Sequence, residues 1–195
     1  MILYVHGFAS GGASGTVMLL RQALYPYGIK VAAPDLPLLP SEAIGLLRTT
    51  VEQLRPRLII GTSMGGFLAE MLRGYPRILV NPSFHTARLL TFRGTGRYPF
   101  SCKREDGSKD FKVDKAMIED FRRMEKLSFQ GITPTDKELV WGLFGDKDPT
   151  VHTQDDFTRH YGRGHFQVFD GEHRLNDKIV SRVVLPLIRQ ILQLD

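Results

Sequence analysis

Six short apolar runs punctuate the chain, and what lies between them decides most of what it can fold into. They are ILYV (2–5), IKVAA (29–33), RLIIG (57–61), RILVN (77–81), LVWGLFG (139–145) and HFQVF (165–169). Several are rich in β-branched residues and lack strict alternation, the pattern of strands covered on both faces. Amphipathic segments of helical period separate them. In 41–55, Ser41 is the expected N-cap, and Ile44, Leu47, Val51 and Leu54 share one face. In 63–73, Phe67, Leu68, Met71 and Leu72 do the same, and Gly74 stops the helix. The last helix, about 177–193, carries Ile179, Val183, Ile188, Ile191 and Leu192, with a kink expected at Pro186. Strands alternating with helices imply an α/β protein: about six mainly parallel strands, flanked by helices and joined by right-handed crossovers.

One interval, about 82–138, breaks this rhythm. It holds a helix near 114–129, with Asp114 as cap, Met117, Phe121 and Met124 on one face, and Gly131 beyond its end. Before that helix, TFRGTGRYPFSCKREDGSKDF has glycine, proline and mixed charge but no period. Such a stretch reads as a lid-like insertion over the sheet, mobile in part. With no internal repeat and no linker, residues 1–195 are expected to form a single domain.

Composition narrows the function classes. A net charge of +5 and a pI near 9.4 invite a nucleic-acid reading. Basic and acidic residues are interleaved, however, and there is no dense Lys/Arg tract, zinc spacing or aromatic RNA-binding signature, so no nucleic-acid partner is expected. A basic surface leaves room for a mild preference for anionic substrates. No apolar stretch approaches bilayer length, and MILYVHGFASGG lacks a basic leader, so no membrane partner and no signal peptide are expected. Cys102 is the single cysteine, which excludes an intrachain disulfide and favours the cytoplasm. A homo-oligomer stays open.

The chemistry centres on RLIIGTSMGGFLAEML, residues 57–72. A strand that ends in Gly-x-Ser-x-Gly and runs straight into a helix describes a sharp turn with Ser63 at its tip in a strained conformation. Gly61 and Gly65 remove side chains that would collide there, and the helix N-terminus adds partial positive charge behind the hydroxyl. Serine needs a base to become a nucleophile. His173 follows the last apolar run, so its loop emerges at the same sheet edge as Ser63. His6 abuts Gly7 and is read as shaping a loop; His85, His152, His160 and His165 lack such placement. For the acid, LVWGLFGDKDPTV offers Asp148, with Asp146 as competitor, before a helix capped by Thr153. The order Ser, Asp, His suits a sheet enzyme of this kind. Oxyanion donors are expected at the backbone N–H of Met64 and of Phe8, the latter in HGFASGGASG.

Together, LYVHGFAS, PDLPLLPSEA (34–43), GTSMGG (61–66), VNPS (80–83) and the aspartate and histidine loops resemble the α/β-hydrolases, specifically the small bacterial YqiA-type esterases. The likeness covers most of the chain and is loosest in the insertion and around DGEHRL. It implies a minimal α/β-hydrolase fold without the extra leading strands of larger relatives. It also implies a serine esterase for short acyl esters, with Ser63, Asp148 and His173 at the matching positions. PDLPLLPSEA is assigned no chemistry; rigid prolines and a helix cap explain it. No metal and no organic cofactor is needed, and the expected partner is a small-molecule ester or thioester. Substrate contacts are expected from Phe8, Met64 and the insertion near Phe84, His85, Phe92 and Tyr98, unless these pack the core. Two rivals remain. One is nucleotide binding by GFASGGASGT, which contains neither G-x-G-x-x-G nor G-x-x-x-x-G-K-[ST]. The other is a catalytically inactive hydrolase fold that serves as a binding protein.

Overall fold

In the computed structural model, which describes residues 1–194, all six apolar runs are strands of one sheet. They are β1 (Ile2–Val5), β2 (Val31–Ala32), β3 (Leu58–Thr62), β4 (Arg77–Val80), β7 (Val140–Gly145) and β8 (Phe166–Phe169). The strands β5 (Gly96–Pro99) and β6 (Asp110–Val113) form a separate antiparallel pair. The sheet runs β2-β1-β3-β4-β7-β8 and is parallel throughout. From β1 the chain first steps outward to β2 and then crosses to β3 on the other side. The order therefore reverses between β1 and β3, and such a switch opens a crevice at the C-terminal ends of those strands.

Period-two geometry sorts the strand residues onto two cores. Leu3, Val5, Ile59 and Leu79 face one layer, formed by α2 (Pro40–Leu54), α3 (Met64–Glu70), α5 (Lys115–Glu125) and α7 (Gln154–Tyr161). Ile2, Tyr4, Ile60, Ile78 and Val80 face the other, formed by α1 (Gly15–Leu24), α8 (Asp177–Ile179) and α9 (Leu185–Leu192). Both faces are covered, which is why the strands read as nearly continuous apolar runs. Fully burying a side chain such as Leu47 or Phe67 contributes roughly 1.5–3 kcal/mol. Two short helices, α4 (Thr86–Arg93) and α6 (Pro134–Leu139), complete the segment between β4 and β7.

Some local expectations change. Leu39, not Ser41, holds the cap position of α2, because Pro40 supplies the fixed φ favoured at a first helical residue; the Ser41 N–H instead donates to Asp120 at 3.0 Å. Thr153 does precede α7, but its hydroxyl donates to the Pro82 carbonyl at 2.6 Å and caps nothing. Asp114 caps α5 as expected, accepting from Met117 N–H at 3.0 Å. The stretch 91–111, which shows no period, contributes β5 and leads into β6, whose Phe111 and Val113 turn into the core. The disturbance expected at Pro186 is a π turn, Val180–Val184, in which the Leu185 N–H reaches back to Val180. A wider turn accommodates the proline, which has no N–H to continue the ladder.

Arg77, at the start of β4, is fully buried and donates to Asp136 at 2.8 Å and to the Tyr75 and Glu70 carbonyls. Asp136 also completes a capping box with Thr133 at the start of α6 and accepts from Gly74 N–H at 3.2 Å. Burial pushes the Asp136 carboxyl up, but the Thr133 bonds, the Gly74 N–H and the Arg77 charge outweigh it and hold the group below its ordinary range. The stability linked to it is therefore complete above the unfolded value of about 3.9 and is lost as pH falls through the lower folded value. Asp136→Ala strands a buried guanidinium and is expected to cost about 3–5 kcal/mol in urea unfolding. Asp136→Asn should flatten the acid side of the stability–pH curve.

Candidate active site

Ser63 stands alone between β3 and α3, with φ 56° and ψ −121°. That conformation costs a non-glycine residue on the order of 1–3 kcal/mol and persists only where its surroundings hold it. Here the Ser63 N–H donates to the Val80 carbonyl at 3.0 Å. Its carbonyl accepts from Gly66, Phe67 and Ser83 at 2.9, 3.1 and 3.0 Å. The two framing glycines are sites of close approach. A β-carbon on Gly61 would lie 2.2 Å from the Gly65 carbonyl oxygen, and one on Gly65 would lie 2.0 Å from that of Val5.

The His173 ring bridges two side chains. Its Nε2 is 3.0 Å from the Ser63 hydroxyl oxygen, and its Nδ1 is 2.6 Å from Asp148 Oδ2. The other Asp148 oxygen accepts from the N–H groups of Thr150 and Val151 at 2.7 and 3.1 Å. Burial raises the Asp148 carboxyl, but the bond to His173 and these two N–H groups outweigh it, holding it below the usual carboxylate range. A carboxylate at Nδ1 favours the ring with its proton there, leaving Nε2 to accept from the serine. Asp146 turns away and accepts from Gly171 N–H at 3.1 Å.

The sequence reading missed what positions this ring. Asn81, in VNPS, is buried with φ 43°, and its side-chain N–H groups donate to the carbonyls of both Glu172 and His173, each at 3.1 Å. Its side-chain oxygen accepts from Gly145 N–H at 2.8 Å. One amide thus ties the end of β4 to the end of β7 and to the histidine loop. The detectable signal is an asparagine just after a strand, a residue type that tolerates positive φ.

The loop after β1 closes the other side. A β-carbon on Gly7 would meet that of Ser63 at 3.3 Å, so this loop lies against the serine. His6 is buried and shapes it: Nδ1–H donates to the Gly7 carbonyl at 2.9 Å, and Nε2 accepts from Leu36 N–H at 3.0 Å. Burial pushes the His6 pKa down, which suits a ring needed in its neutral form. The N–H groups of Phe8 and Met64 find no acceptor among the described residues. Asp35, in the stretch assigned no chemistry, accepts from Gly12 and Glu105 N–H, both at 2.7 Å. Arg104 donates to the Ser10 and Leu36 carbonyls at 3.1 and 3.0 Å. A cavity of about 520 Å³ opens over Ser63 and His173, with Phe8, Ser14, Cys102 and Arg174 also in its wall. Among the described residues, no cluster of three or more His, Cys, Asp or Glu could hold a metal ion, and no helix is long and apolar enough to cross a membrane.

The uncharacterised protein family UPF0227 matches residues 1–163. The chain belongs to that family. No curated protein matches this UPF0227 sequence. Its fold is that of the α/β-hydrolases, as the likeness to solved structures shows. With mouse alpha/beta hydrolase domain-containing protein 10 it shares 13% identity at a TM-score of 0.70, over 98% of this chain and 89% of the other. With a monoacylglycerol lipase from Paleococcus ferrophilus the values are 14% and 0.64, over 97% and 94%. With Est1E from Butyrivibrio proteoclasticus they are 16% and 0.62, over 98% and 88%.

Four residues expected near the substrate stand elsewhere in this UPF0227 chain. Phe84 is buried against Phe129, with ring centres 4.6 Å apart, and His85 bonds Asp156 at 2.9 Å; both line a different cavity. Phe92 is 96% exposed on α4. The Tyr98 hydroxyl donates to the Arg93 and Gly94 carbonyls at 3.1 and 3.0 Å. From this segment it is Ser101 and Cys102 that reach the cavity over Ser63.

The geometry fixes a solution signature. The His173 Nδ1 proton should give a slowly exchanging, strongly downfield NMR resonance that survives Asp146→Asn and disappears in Asp148→Asn. Loss in the first variant and retention in the second would reverse the assignment of the acid.

Proposed function

We propose that this protein is a serine hydrolase that cleaves carboxylic esters of small acyl substrates through an acyl-enzyme. The observation that carries this reading is the His173 ring, within hydrogen-bond reach of the Ser63 hydroxyl on one side and of Asp148 on the other. On this reading Ser63 Oγ attacks the ester carbonyl while its proton passes to His173 Nε2. Asp148 keeps the ring in the required tautomer and stabilises the imidazolium that forms, without taking a proton itself. His173 then gives the proton to the departing alcohol. Water, activated by the same ring, later releases the acid and restores Ser63.

The oxyanion would lie between the N–H groups of Phe8 and Met64. Each well-aimed donor of this kind is worth about 10²–10³ in kcat. The strained bend at Ser63 and the bonds that hold it fit a site arranged before substrate arrives. The solved structures with this fold include the monoacylglycerol lipase from Paleococcus ferrophilus, which is in keeping with ester substrates. A reducing, cytoplasmic setting suits the free thiol of Cys102 at the cavity wall.

A fluorophosphonate probe read by peptide mass spectrometry should label Ser63 alone and should fail to label Ser63→Ala. Short-chain 4-nitrophenyl esters should be turned over by the wild type, with kcat falling roughly 10³-fold or more in Ser63→Ala and His173→Ala. Asp148→Asn should lose on the order of 10⁴-fold, the cost of the wrong tautomer. Labelling at another residue, or turnover indifferent to Ser63, would end this proposal.

A further inference from the structure

One wall of the Ser63 cavity has no task in the mechanism above. It is the N-terminal end of α1, a helix of 10 residues. Ser14, Gly15 and Thr16 line the cavity together with Ser63 and His173. The first turn contains no acidic side chain, and Ser14, in the cap position, makes no capping bond. The Ser14 hydroxyl is buried without a hydrogen-bond partner among the described residues, and the residue as a whole is only 9% exposed. Buried hydroxyls are normally paired, so this one has a hydrogen bond left to make. Space is open beside the first helical residue, where a β-carbon on Gly15 would meet no atom within 4 Å.

Charge and polarity of the remaining wall favour one class of occupant. The positive end of the helix dipole faces the cavity, and Arg174 stands exposed on its rim. The Tyr4 hydroxyl pairs with that of Thr62 at 2.8 Å, a polar stretch of the wall, and Leu19 and Leu175 add an apolar one. Asp177 also lies in the wall and offsets part of the positive charge. One helix end and one guanidinium opposed by a carboxylate suit a single negative charge better than a phosphate dianion.

We propose that the N-terminus of α1 is a carboxylate subsite, so that the substrate is a small ester bearing a free carboxylate. The Gly15 and Thr16 N–H groups and the Ser14 hydroxyl receive it, and Arg174 closes over it from the rim. The ester part of this inference rests on the reading of Ser63 as nucleophile; the subsite itself does not.

Two measurements separate them. In ¹⁵N-labelled Ser63→Ala protein, monomethyl succinate should shift the Gly15 and Thr16 amide resonances. It should bind about tenfold more tightly than neutral dimethyl succinate, with the advantage shrinking as salt rises from about 0.05 to about 0.5 M. Adding Ser14→Ala or Arg174→Gln should cut that advantage about threefold or more. In the wild type, 4-nitrophenyl hemisuccinate is compared with 4-nitrophenyl butyrate, and the butyryl ester of 3-hydroxypropanoate with butyl butyrate. The first pair carries the charge on the acyl side and the second on the alcohol side, and one of them should favour the anion about tenfold in kcat/KM. Unmoved amides, equal affinity for the neutral diester, or two ratios near one would overturn the subsite even if neutral esters are cleaved. Amide shifts without turnover of any ester would uphold the subsite and sink the esterase reading instead.

Discussion

Everything at the sheet edge depends on how closely α3 lies on the strands beneath it. With no side chain at positions 61 and 65, the helix descends until its backbone meets that of β1 and β3, and only then does the chain have to reverse within a single residue. The awkward backbone of Ser63 is the result of that contact. Its four main-chain bonds to β4, to α3 and to the segment after β4 convert the awkwardness into a fixed direction for the hydroxyl. A serine in an ordinary turn would be free to rotate away with its backbone; this one is held.

Around that bend the molecule uses backbone carbonyls and short polar side chains as fasteners. Asn81 joins the ends of β4 and β7 to the histidine loop, His6 fixes the first loop against Leu36, and Asp35 joins Gly12 to Glu105. All three are largely or wholly buried, where unpaired polar groups are costly and fully paired ones rigidify. The arrangement explains how loops from three strands and the β5–β6 region converge among described residues that include no metal-binding cluster of side chains and no disulfide. Ser63 itself lies at the switch between β1 and β3, where two loops leave in opposite directions and a crevice opens.

The sheet is legible in the sequence because each strand is a local run with apolar residues for both faces, and the helices between them carry a clear period. The side chains that meet at Ser63 are legible for a related reason: each lies in a loop directly after one of those runs, so topology alone brings them to one edge. What is hidden lacks either period or directional signal. The strands β5 and β6 are four residues each, too short for an alternating pattern to stand out. Phe84, Phe92 and Tyr98 are aromatic wherever they point, and nothing local says whether an aromatic ring meets core, solvent or ligand. The helix α1 is a different case, since Val17, Leu20 and Leu24 share a face but follow a glycine-rich stretch that reads as loop. Asp35 and Asn81 act on backbone atoms far away in sequence, and no spacing rule anticipates such partners.

Arg104 belongs to the segment between β5 and β6, yet it grips the carbonyl of Ser10 in the first loop and that of Leu36 beyond β2, while stacking over Phe100 at 4.6 Å. The wall of the cavity and the rim facing Ser63 are therefore one mechanical unit. A change between residues 96 and 113 that shifts Arg104 also loosens its hold on the first loop at Ser10 and on the chain at Leu36. A substitution that displaces Arg104 therefore removes support from Ser10 and Leu36 at the same stroke.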